Sequence, residues 1–439
     1  MESGNDMNKA NSPNANSTTL RNGRVIDPAS GTDGVMDVHI DAGRILALGT
    51  APAGFTAARE IDARGLIVMP GVVDLSARLR EPGFEYRATL ESELSAAAAG
   101  GVTSLCCPPD TDPPLDEPGL VEMLVYRARS MKLSKVYPLG ALTAKLGGER
   151  LTEMAVLRDA GCIAFSHADH NIADTQVLWR ALQYASTFGF PVWLRPQDGF
   201  LARGGVAHDG EVATRLGLAG IPSFAETIAV ATILELVRAT GARVHLARLS
   251  CTDALALVRQ AKQQGLPVSC DVAIHHVHLC DIDIGFFDSH CRLVPPLRSQ
   301  RDRDGLRAGL ADGTIDAVCS DHAPVDEDEK QIPFGEAEPG ATGLELLLPL
   351  TLRWAEQAGI PLTHALGVIT HQPATVLGLA AGRIAPGLAA DLCVFDAKAA
   401  RQISATSLVS QGKNTPFIGH ELQGVVKHTL VDGKSVYAA

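Results

Sequence analysis

The sequence lacks several features that would place it in a broad functional class. No apolar run approaches the ~18 residues needed to cross a bilayer. There is no long basic run, and 38 Lys and Arg against 50 Asp and Glu give a formal net charge of −12. Such a chain is poorly suited to nucleic acid or to an anionic membrane surface. We therefore expect binding to neither.

Cysteine motifs and targeting signals are also missing. The nine cysteines are odd in number, lie in apolar segments and include no Cys-x-x-Cys pair. This favours reduced thiols in the cytoplasm over a disulfide framework or a zinc ribbon. Residues 1–19 are rich in Asn and Ser and lack the apolar core of a secretory signal. We interpret them as a disordered tail.

Turn residues punctuate both ends of the chain at short intervals, which is typical of small β structure. Residues 20–65 and 382–439 both have these closely spaced turn residues and predict one small β-sandwich domain built from both termini. Residues 66–381 alternate apolar β-rich runs with helical runs. The predicted strands are Ile67–Leu75, Thr103–Cys107, Lys135–Gly140, Cys162–Ser166, Pro191–Arg195, Arg243–Arg248, Pro267–Ala273 and Ile315–Asp321.

Eight strands alternating with helices predict an α/β fold, specifically a parallel (β/α)8 barrel of the TIM type. The alternative is an open doubly wound sheet, but no Gly-x-Gly-x-x-Gly follows the first strand. The predicted helices are Glu91–Ala99, Gly119–Met131, Thr152–Ala160, Thr175–Phe188, Ala225–Ala239, Thr252–Gln264 and Arg301–Ala311.

The stretch Ile67–Gly83 begins as the first predicted barrel strand and then turns polar at alternate positions. Alternate residues of a strand face the same side, so Asp74, Ser76, Arg78 and Arg80 would face the barrel mouth. This stretch resembles the opening strand of the cyclic amidohydrolases, most closely dihydroorotase, with its pattern Asp-x-His-x-His-x-Arg-Glu-Pro-Gly. Asp74 and residues 80–83 match that pattern, whereas Ser76 and Arg78 replace the two histidines.

Further short sequence motifs that match the family extend the resemblance through nearly all of residues 65–380. They are residues 97–103, 108–111, 220–226, 275–276, 295–299, 312–316, 320–324 and 342–345. The family resemblance implies a binuclear zinc site at the carboxyl ends of the strands, where a bridging hydroxide attacks a ring amide and an aspartate moves the proton.

The ligand positions of the family are replaced here almost throughout. The positions that match them hold Ser76, Arg78, His167 (within the word 166–169), Arg195, Arg248 and Asp321, of which only Asp321 is the family's residue. Arginine stays protonated and has no lone pair to give a metal. We therefore predict a lost metal site, no cofactor, and no catalytic residue beyond the remnant Asp321.

Substrate-contact positions are altered as well. Asp110 and Val294 replace two asparagines, and Val325 replaces a histidine, whereas Arg80, which in the family grips the substrate carboxylate, and His322 are retained. We interpret Arg80, Asp110, Val294 and His322 as remnants of an anion or substrate pocket. The arginines would pair with internal carboxylates or, alternatively, bind a carboxylate or phosphate. A relocated metal site using His167 and His170 is a further alternative.

The chain is similar to the inactive dihydroorotase homologues that associate with aspartate carbamoyltransferase in some bacteria. This resemblance implies a pseudoenzyme that supports assembly of the transcarbamoylase catalytic subunit, and we also expect a homo-oligomer. One alternative is an active cyclic amidohydrolase with a rebuilt or single-metal site. Another is a ligand-sensing module in which the four arginines at positions 78, 80, 195 and 248 bind an acidic metabolite.

Overall fold

The computed structural model describes residues 17–439. Most of the predicted N-terminal tail therefore lies outside the described residues. The last part of that tail does not, because the first strand begins at Thr18 and both Thr18 and Thr19 are buried. The N-terminal strands are β1 (Thr18–Asp27), β2 (Thr32–Asp41), β3 (Arg44–Leu48), β4 (Arg59–Asp62) and β5 (Ile67–Pro70).

Eight parallel strands then form the predicted barrel. They are β6 (Val72–Asp74), β7 (Val102–Cys107), β8 (Lys135–Ala141), β9 (Ala164–Ser166), β10 (Val192–Leu194), β13 (Val244–Leu246), β14 (Val268–Ala273) and β15 (Ala317–Cys319), with a short pair, β11 (Ala207–His208) and β12 (Gly220–Ile221), outside it. Beyond the strand ends, the Arg78 N–H donates to the His322 carbonyl at 2.8 Å. The barrel is therefore nearly closed.

Helices cover the barrel as the alternation predicts. They are α1 (Leu90–Ala99), α2 (Pro118–Met131), α3 (Met154–Ala160), α4 (Thr175–Phe188), α5 (Glu211–Leu216), α6 (Phe224–Thr240), α7 (Thr252–Gln263), α8 (Ile274–His278), α9 (Gln300–Ala311), α10 (Leu347–Ala358), α11 (Leu362–Gly367) and α12 (His371–Leu377). Their apolar faces pack on the strands, while a separate core fills the barrel interior around Trp193 and Leu377. The (β/α)8 prediction is confirmed.

The C-terminal segment returns to the strands at the start of the chain. β16 (Leu392–Gln402), β17 (Glu421–Val431) and β18 (Lys434–Ala438) join the N-terminal strands in one mixed sheet, in the order β18-β17-β16-β5-β1-β2-β3, with β4 beside β1. Leu20, Val38, Ile40 and Leu392 belong to its core. Both chain ends thus build the small β domain, and its strands form one continuous sheet.

The first predicted barrel strand is in fact two strands. β5 pairs with β1 and β16 of the terminal sheet, whereas β6 pairs with β7 of the barrel. The change of partner falls at Gly71, where a Cβ would lie only 2.1 Å from Thr103 Oγ1. Because no side chain fits there, glycine allows the chain to pass between the two sheets. Sequence periodicity does not reveal such a change, since both halves are buried and apolar.

Long loops build up the carboxyl end of the barrel, where the site lies. The connection between β16 and β17 reaches across to it, and Asn414 donates from Nδ2 to the carbonyls of Ala323 and Gly340 at 3.0 Å each. Asn414 Oδ1 accepts from the Val325 N–H at 3.0 Å. The terminal β domain thereby fixes the loop that follows β15.

No helix within residues 17–439 is long and apolar enough to cross a membrane. Short 3-10 helices occur at Ala144–Leu146, Asp281–Ile284, Ser289–Cys291 and Asp328–Lys330. All nine cysteines are buried and free.

Candidate functional site at the barrel mouth

Asp169 is the centre of the site. It lies just after β9 at the carboxyl end of the barrel, and its carboxylate contacts three arginines from three different strand ends. Arg78 Nη2 and Arg248 Nη2 each approach one of its oxygens at 2.5 Å, and Arg195 Nε donates to it as well. The three guanidinium groups predicted to replace metal ligands therefore converge on one carboxylate.

Two further carboxylates complete the ion-pair network. Asp110 accepts from Arg78 Nε at 2.7 Å. Asp321 lies 2.9 Å from Arg248 Nη1 and 3.5 Å from Arg78 Nη1. Three positive and three negative groups thus meet in a largely buried space, which we call the arginine–aspartate cluster (Arg78, Asp110, Asp169, Arg195, Arg248 and Asp321). Formal charge within it cancels, as buried charges require.

Electrostatics within the cluster favour the ionised state of Asp169. Burial alone would raise the pKa of its carboxyl, but Arg248, Arg78 and Arg195 outweigh burial and hold that pKa well below its usual range. Burial likewise opposes the charge on Arg78, yet Asp110 and Asp169 raise the pKa of that guanidinium above its ordinary value. The contact between Arg78 and Asp169 is therefore a charge-assisted hydrogen bond.

Backbone strain is concentrated at the same strand ends. Arg80, Ala168, Arg248 and Asp321 all have positive φ, at +63°, +48°, +56° and +45°. Left-handed backbone is disfavoured for residues other than glycine and costs on the order of 1–3 kcal/mol each. Such strain persists where the surroundings over-determine the conformation, and here it positions two cluster members, Arg248 and Asp321, at the mouth.

Not every residue predicted at the site joins the cluster. Ser76 lies next to the cluster and, being uncharged, forms no ion pair. Its backbone carbonyl accepts a hydrogen bond from the His322 N–H at 3.2 Å. Val294 takes part only through its carbonyl, which accepts from Arg248 Nη1 at 3.2 Å. Arg80 donates from Nε to the Pro324 carbonyl at 2.8 Å.

His167, predicted at a former ligand position after β9, lies outside the arginine–aspartate cluster. Its ring is held away from the arginines, with Nε2 2.8 Å from Thr143 Oγ1 and Nδ1 3.1 Å from the His170 carbonyl. The acid that enters the cluster is Asp169, two residues later. His167 and His170 also lie in a turn rather than on a helix, so they do not share the helical face considered for a relocated metal site.

His322 is fixed in one tautomer by its partners. The Gly343 N–H donates to its Nδ1 at 3.1 Å, so the ring proton is on Nε2, which donates to Glu93 Oε2 at 2.6 Å. Both side chains are fully buried. His322 therefore joins β15 to α1 and does not form an acid–base pair with the neighbouring Asp321.

The histidines of α8 have structural roles too. His275, His276 and His278 each place Nε2 near a backbone carbonyl, of Thr342, Pro295 and Leu350 respectively. Burial lowers the pKa of these imidazoles to about 3, about 4 and about 3. They are neutral, and each is placed to hydrogen-bond a backbone carbonyl, in loops for His275 and His276 and in α10 for His278.

The side chains at the mouth do not suit a pair of zinc ions. Arginine offers no lone pair, and the carboxylate oxygens nearby already accept from guanidinium groups. Within the described part of the chain, no group of three or more His, Cys, Asp or Glu side chains is arranged to hold a metal ion. No catalytic step through a metal can be derived from this donor set.

A barrel with polar side chains from several strand ends at its carboxyl face, joined to a β domain from both termini, defines an amidohydrolase-type protein. Residues 65–254 match the family described as dihydro-orotase-like, and residues 207–436 match the amidohydrolase family. The chain is 48% identical to a dihydroorotase-like protein of Pseudomonas aeruginosa over 415 residues, covering 94% of this chain and 98% of the relative. It belongs to the dihydroorotase-like cyclic amidohydrolases.

Other relatives bear different names. A dihydroorotase of Geobacter is 40% identical over 420 residues, covering 96% of this chain and 99% of the relative. The L-hydantoinase of Arthrobacter aurescens has a similar structure, with a TM-score of 0.86, 24% sequence identity and 96% coverage of both chains. At that identity the structural likeness concerns the fold.

Asp169 is the member of the cluster that the sequence analysis does not single out. The resemblance places the family's carboxylate within residues 166–169, at the position of His167. A signal was available, since three arginines predicted to share one mouth require anionic partners. Asp169 follows β9 closely enough to supply one.

We predict that Asp169→Asn is strongly destabilising, because it leaves three buried guanidinium groups without their shared anion. Loss of one partner from a buried pair costs about 3–5 kcal/mol. Urea denaturation measures the free energy of unfolding. The matched control is Glu235→Gln, which removes an exposed ion pair with Arg238 on α6 and should cost about 0.5 kcal/mol or less. Equal losses in the two variants would contradict the role given to Asp169.

Asp169 also predicts a pH dependence of stability. Its folded-state pKa is lowered, so its contribution is complete above the unfolded pKa of about 4 and is lost as pH falls through the lower folded value. Urea midpoints measured between pH 7 and pH 3 should show wild type losing stability below about pH 5 more steeply than Asp169→Asn. Parallel curves for the two proteins would rule out a lowered pKa at this residue.

Proposed function

We propose that this protein is a catalytically inactive, cytoplasmic member of the dihydroorotase-like family that serves as an assembly subunit for aspartate carbamoyltransferase. The observation that carries the proposal is the arginine–aspartate cluster. Three ligand positions of the family hold guanidinium groups, and each of these is paired with a carboxylate. The cluster stabilises the barrel mouth by charge pairing where the family uses a metal.

Electrostatics support a metal-free site. A zinc pair would carry a formal charge of about +4 into a space that already contains three arginines, and the repulsion between like charges in a buried site is large. A cation would first have to displace Arg78, Arg195 and Arg248 from Asp169. The hydrolytic mechanism of the family has no nucleophile here without metal-bound hydroxide.

The assembly role is supported by resemblance to homologues that associate with the transcarbamoylase. An intact scaffold agrees with that role, since the barrel, its helices and the terminal β sheet are complete. A protein that had lost both catalysis and its structural purpose would not be expected to keep a neutral, fully paired network in place of the metal site. We therefore assign the complete architecture to support of a partner.

The proposal is tested on protein expressed with supplied zinc and purified to homogeneity. We expect near-zero zinc by elemental analysis, no hydrolysis of dihydroorotate, and co-purification with the catalytic chain of aspartate carbamoyltransferase when the two are co-expressed. An active dihydroorotase prepared and assayed in the same way is the control. One or two zinc per chain with measurable hydrolysis would overturn the pseudoenzyme proposal, and failure to co-purify would overturn the assembly role.

An active hydrolase is the competing function, and the 40% identity to a protein named dihydroorotase favours it. Such an enzyme would need a rebuilt or single-metal site. The same zinc and hydrolysis measurements separate the two functions, because the pseudoenzyme proposal requires both to be absent.

Anion binding at Arg80 is a second candidate function. Arg80 is buried, and within residues 17–439 no carboxylate forms an ion pair with its guanidinium. Burial, reinforced by the neighbouring Arg78, lowers the pKa of Arg80 to about 10, so it is still charged at neutral pH. An uncompensated buried cation is costly, and a ligand carboxylate would relieve that cost.

We expect N-carbamoylaspartate, dihydroorotate or orotate to raise the melting temperature of the wild-type protein if Arg80 holds a carboxylate, because a ligand that binds the folded state stabilises it. Inorganic phosphate tests whether any anion raises the melting temperature in the same way. Arg80→Gln should abolish the rise, whereas Arg64→Gln, at an exposed pair with Asp62, should keep it. No rise with any of these compounds would exclude the sensor function.

A further inference from the structure

An exposed aromatic segment lies on the rim of the barrel mouth. Residues 281–288, which we call the aromatic loop, follow α8 and expose three large apolar side chains. Phe286 is 93% exposed, Ile282 57% and Phe287 39%. Among the large exposed apolar side chains of residues 17–439, that of Phe286 is the most exposed. Phe286 and Phe287 are in ring contact and Ile282 lies in the same short loop, so these apolar side chains are not scattered singly over the surface.

Hydrogen bonds within the aromatic loop hold it in one conformation. The Gly285 N–H donates to the Ile282 carbonyl at 3.0 Å, and the Asp288 N–H donates to the Ile284 carbonyl at 2.9 Å. Ile284 itself is buried and anchors the loop to the core beneath. Phe287 has a φ of +62°, a conformation that a bulky residue adopts only when its surroundings impose it.

A second set of contacts ties the aromatic loop to the segment after β15. Ser289 Oγ donates to the Lys330 carbonyl at 2.5 Å, and Lys330 Nζ donates back to the Ser289 carbonyl at 3.1 Å. Phe286, in contrast, has one ring contact, with Phe287 at 5.6 Å between centroids. The loop is held by these hydrogen bonds, whereas its most exposed side chain contributes little to the packing of the chain.

The exposed charge around the loop is negative, since the nearby cations Lys330 and Arg292 are buried and half-buried respectively. Asp283 and Asp288 are exposed beside the apolar side chains, and Glu327 and Asp328 are exposed on the adjoining segment. No Lys or Arg occurs between positions 279 and 291. An acidic surface is repelled by anionic lipid and by nucleic acid phosphates. It complements a protein surface that carries lysine and arginine.

We propose that the aromatic loop is a docking element, with Phe286 as the anchor, for a protein surface that presents an apolar pocket bordered by Lys or Arg. Aromatic anchors on preorganised loops bind at low entropic cost and dominate interface energetics. We assign the occupant to the transcarbamoylase catalytic chain, and this assignment rests on the proposed assembly function. The loop then supplies the docking surface that the assembly role requires.

The test measures the dissociation constant between the purified full-length protein and the transcarbamoylase catalytic chain in 0.1 M and 0.5 M NaCl. We expect Phe286→Ala to weaken binding at least tenfold and Ile282→Ala to weaken it by a smaller factor. Raising the salt should weaken wild-type binding, because screening reduces attraction between exposed charges. The matched control is Tyr126→Ala, which removes an exposed aromatic ring from α2 and should change affinity less than twofold.

The possible outcomes separate the docking proposal from the assembly function. Wild-type binding that Phe286→Ala leaves unchanged overturns the docking element while the assembly function stands. Absence of wild-type binding overturns the assembly function and the assigned occupant together. If Phe286→Ala instead changes the oligomeric state of the protein alone, the occupant is a second copy and the proposal is wrong. An unchanged melting temperature of Phe286→Ala confirms that any loss of binding is not a loss of folding.

Discussion

Neutralisation of buried charge is the constraint on which the barrel mouth depends. Arg78, Arg195 and Arg248 come from three strand ends and project into a largely buried space, where an unpaired guanidinium would be prohibitively costly. Asp169 contacts all three, and Asp110 and Asp321 complete the balance. Once arginine occupied these positions, carboxylates had to meet them at hydrogen-bonding distance. The mouth is therefore lined by side chains whose charges are already paired with one another.

The cluster fits a scaffold that has otherwise changed little in its architecture. Eight strands, their helices and a sheet from both termini reproduce the fold seen in the hydantoinase from Arthrobacter aurescens. Arg80, Arg248 and Asp321 have positive φ, so the strand ends are in strained conformations. Strain of this kind usually accompanies chemistry. Here the strained backbone orients ion pairs, and the buried network holds it in place.

The rest of the mouth is organised by neutral hydrogen bonds. Asn414, from the C-terminal β domain, joins the loop after β15 through three backbone groups, while His322 and Glu93 join β15 to α1. His275, His276, His278 and His322, which the sequence places near strand ends, all form hydrogen bonds that hold neighbouring segments together. The terminal β domain therefore contributes to the shape of the mouth. Hydrogen bonds of Asn414 join it to the barrel there.

Sequence alone determined the architecture and the presence of arginine at three positions of the barrel mouth. Alternating apolar runs located all eight barrel strands and the main helices, because period and turn residues are local properties. Motif words placed Arg78, Arg195 and Arg248 at ligand positions, and the chemistry of guanidinium made metal binding there implausible. Tertiary structure decided the rest. Only the folded chain revealed Asp169 as the shared anion, the tautomer of His322 and the division of the first strand at Gly71. Each of these depends on contacts between residues distant in sequence.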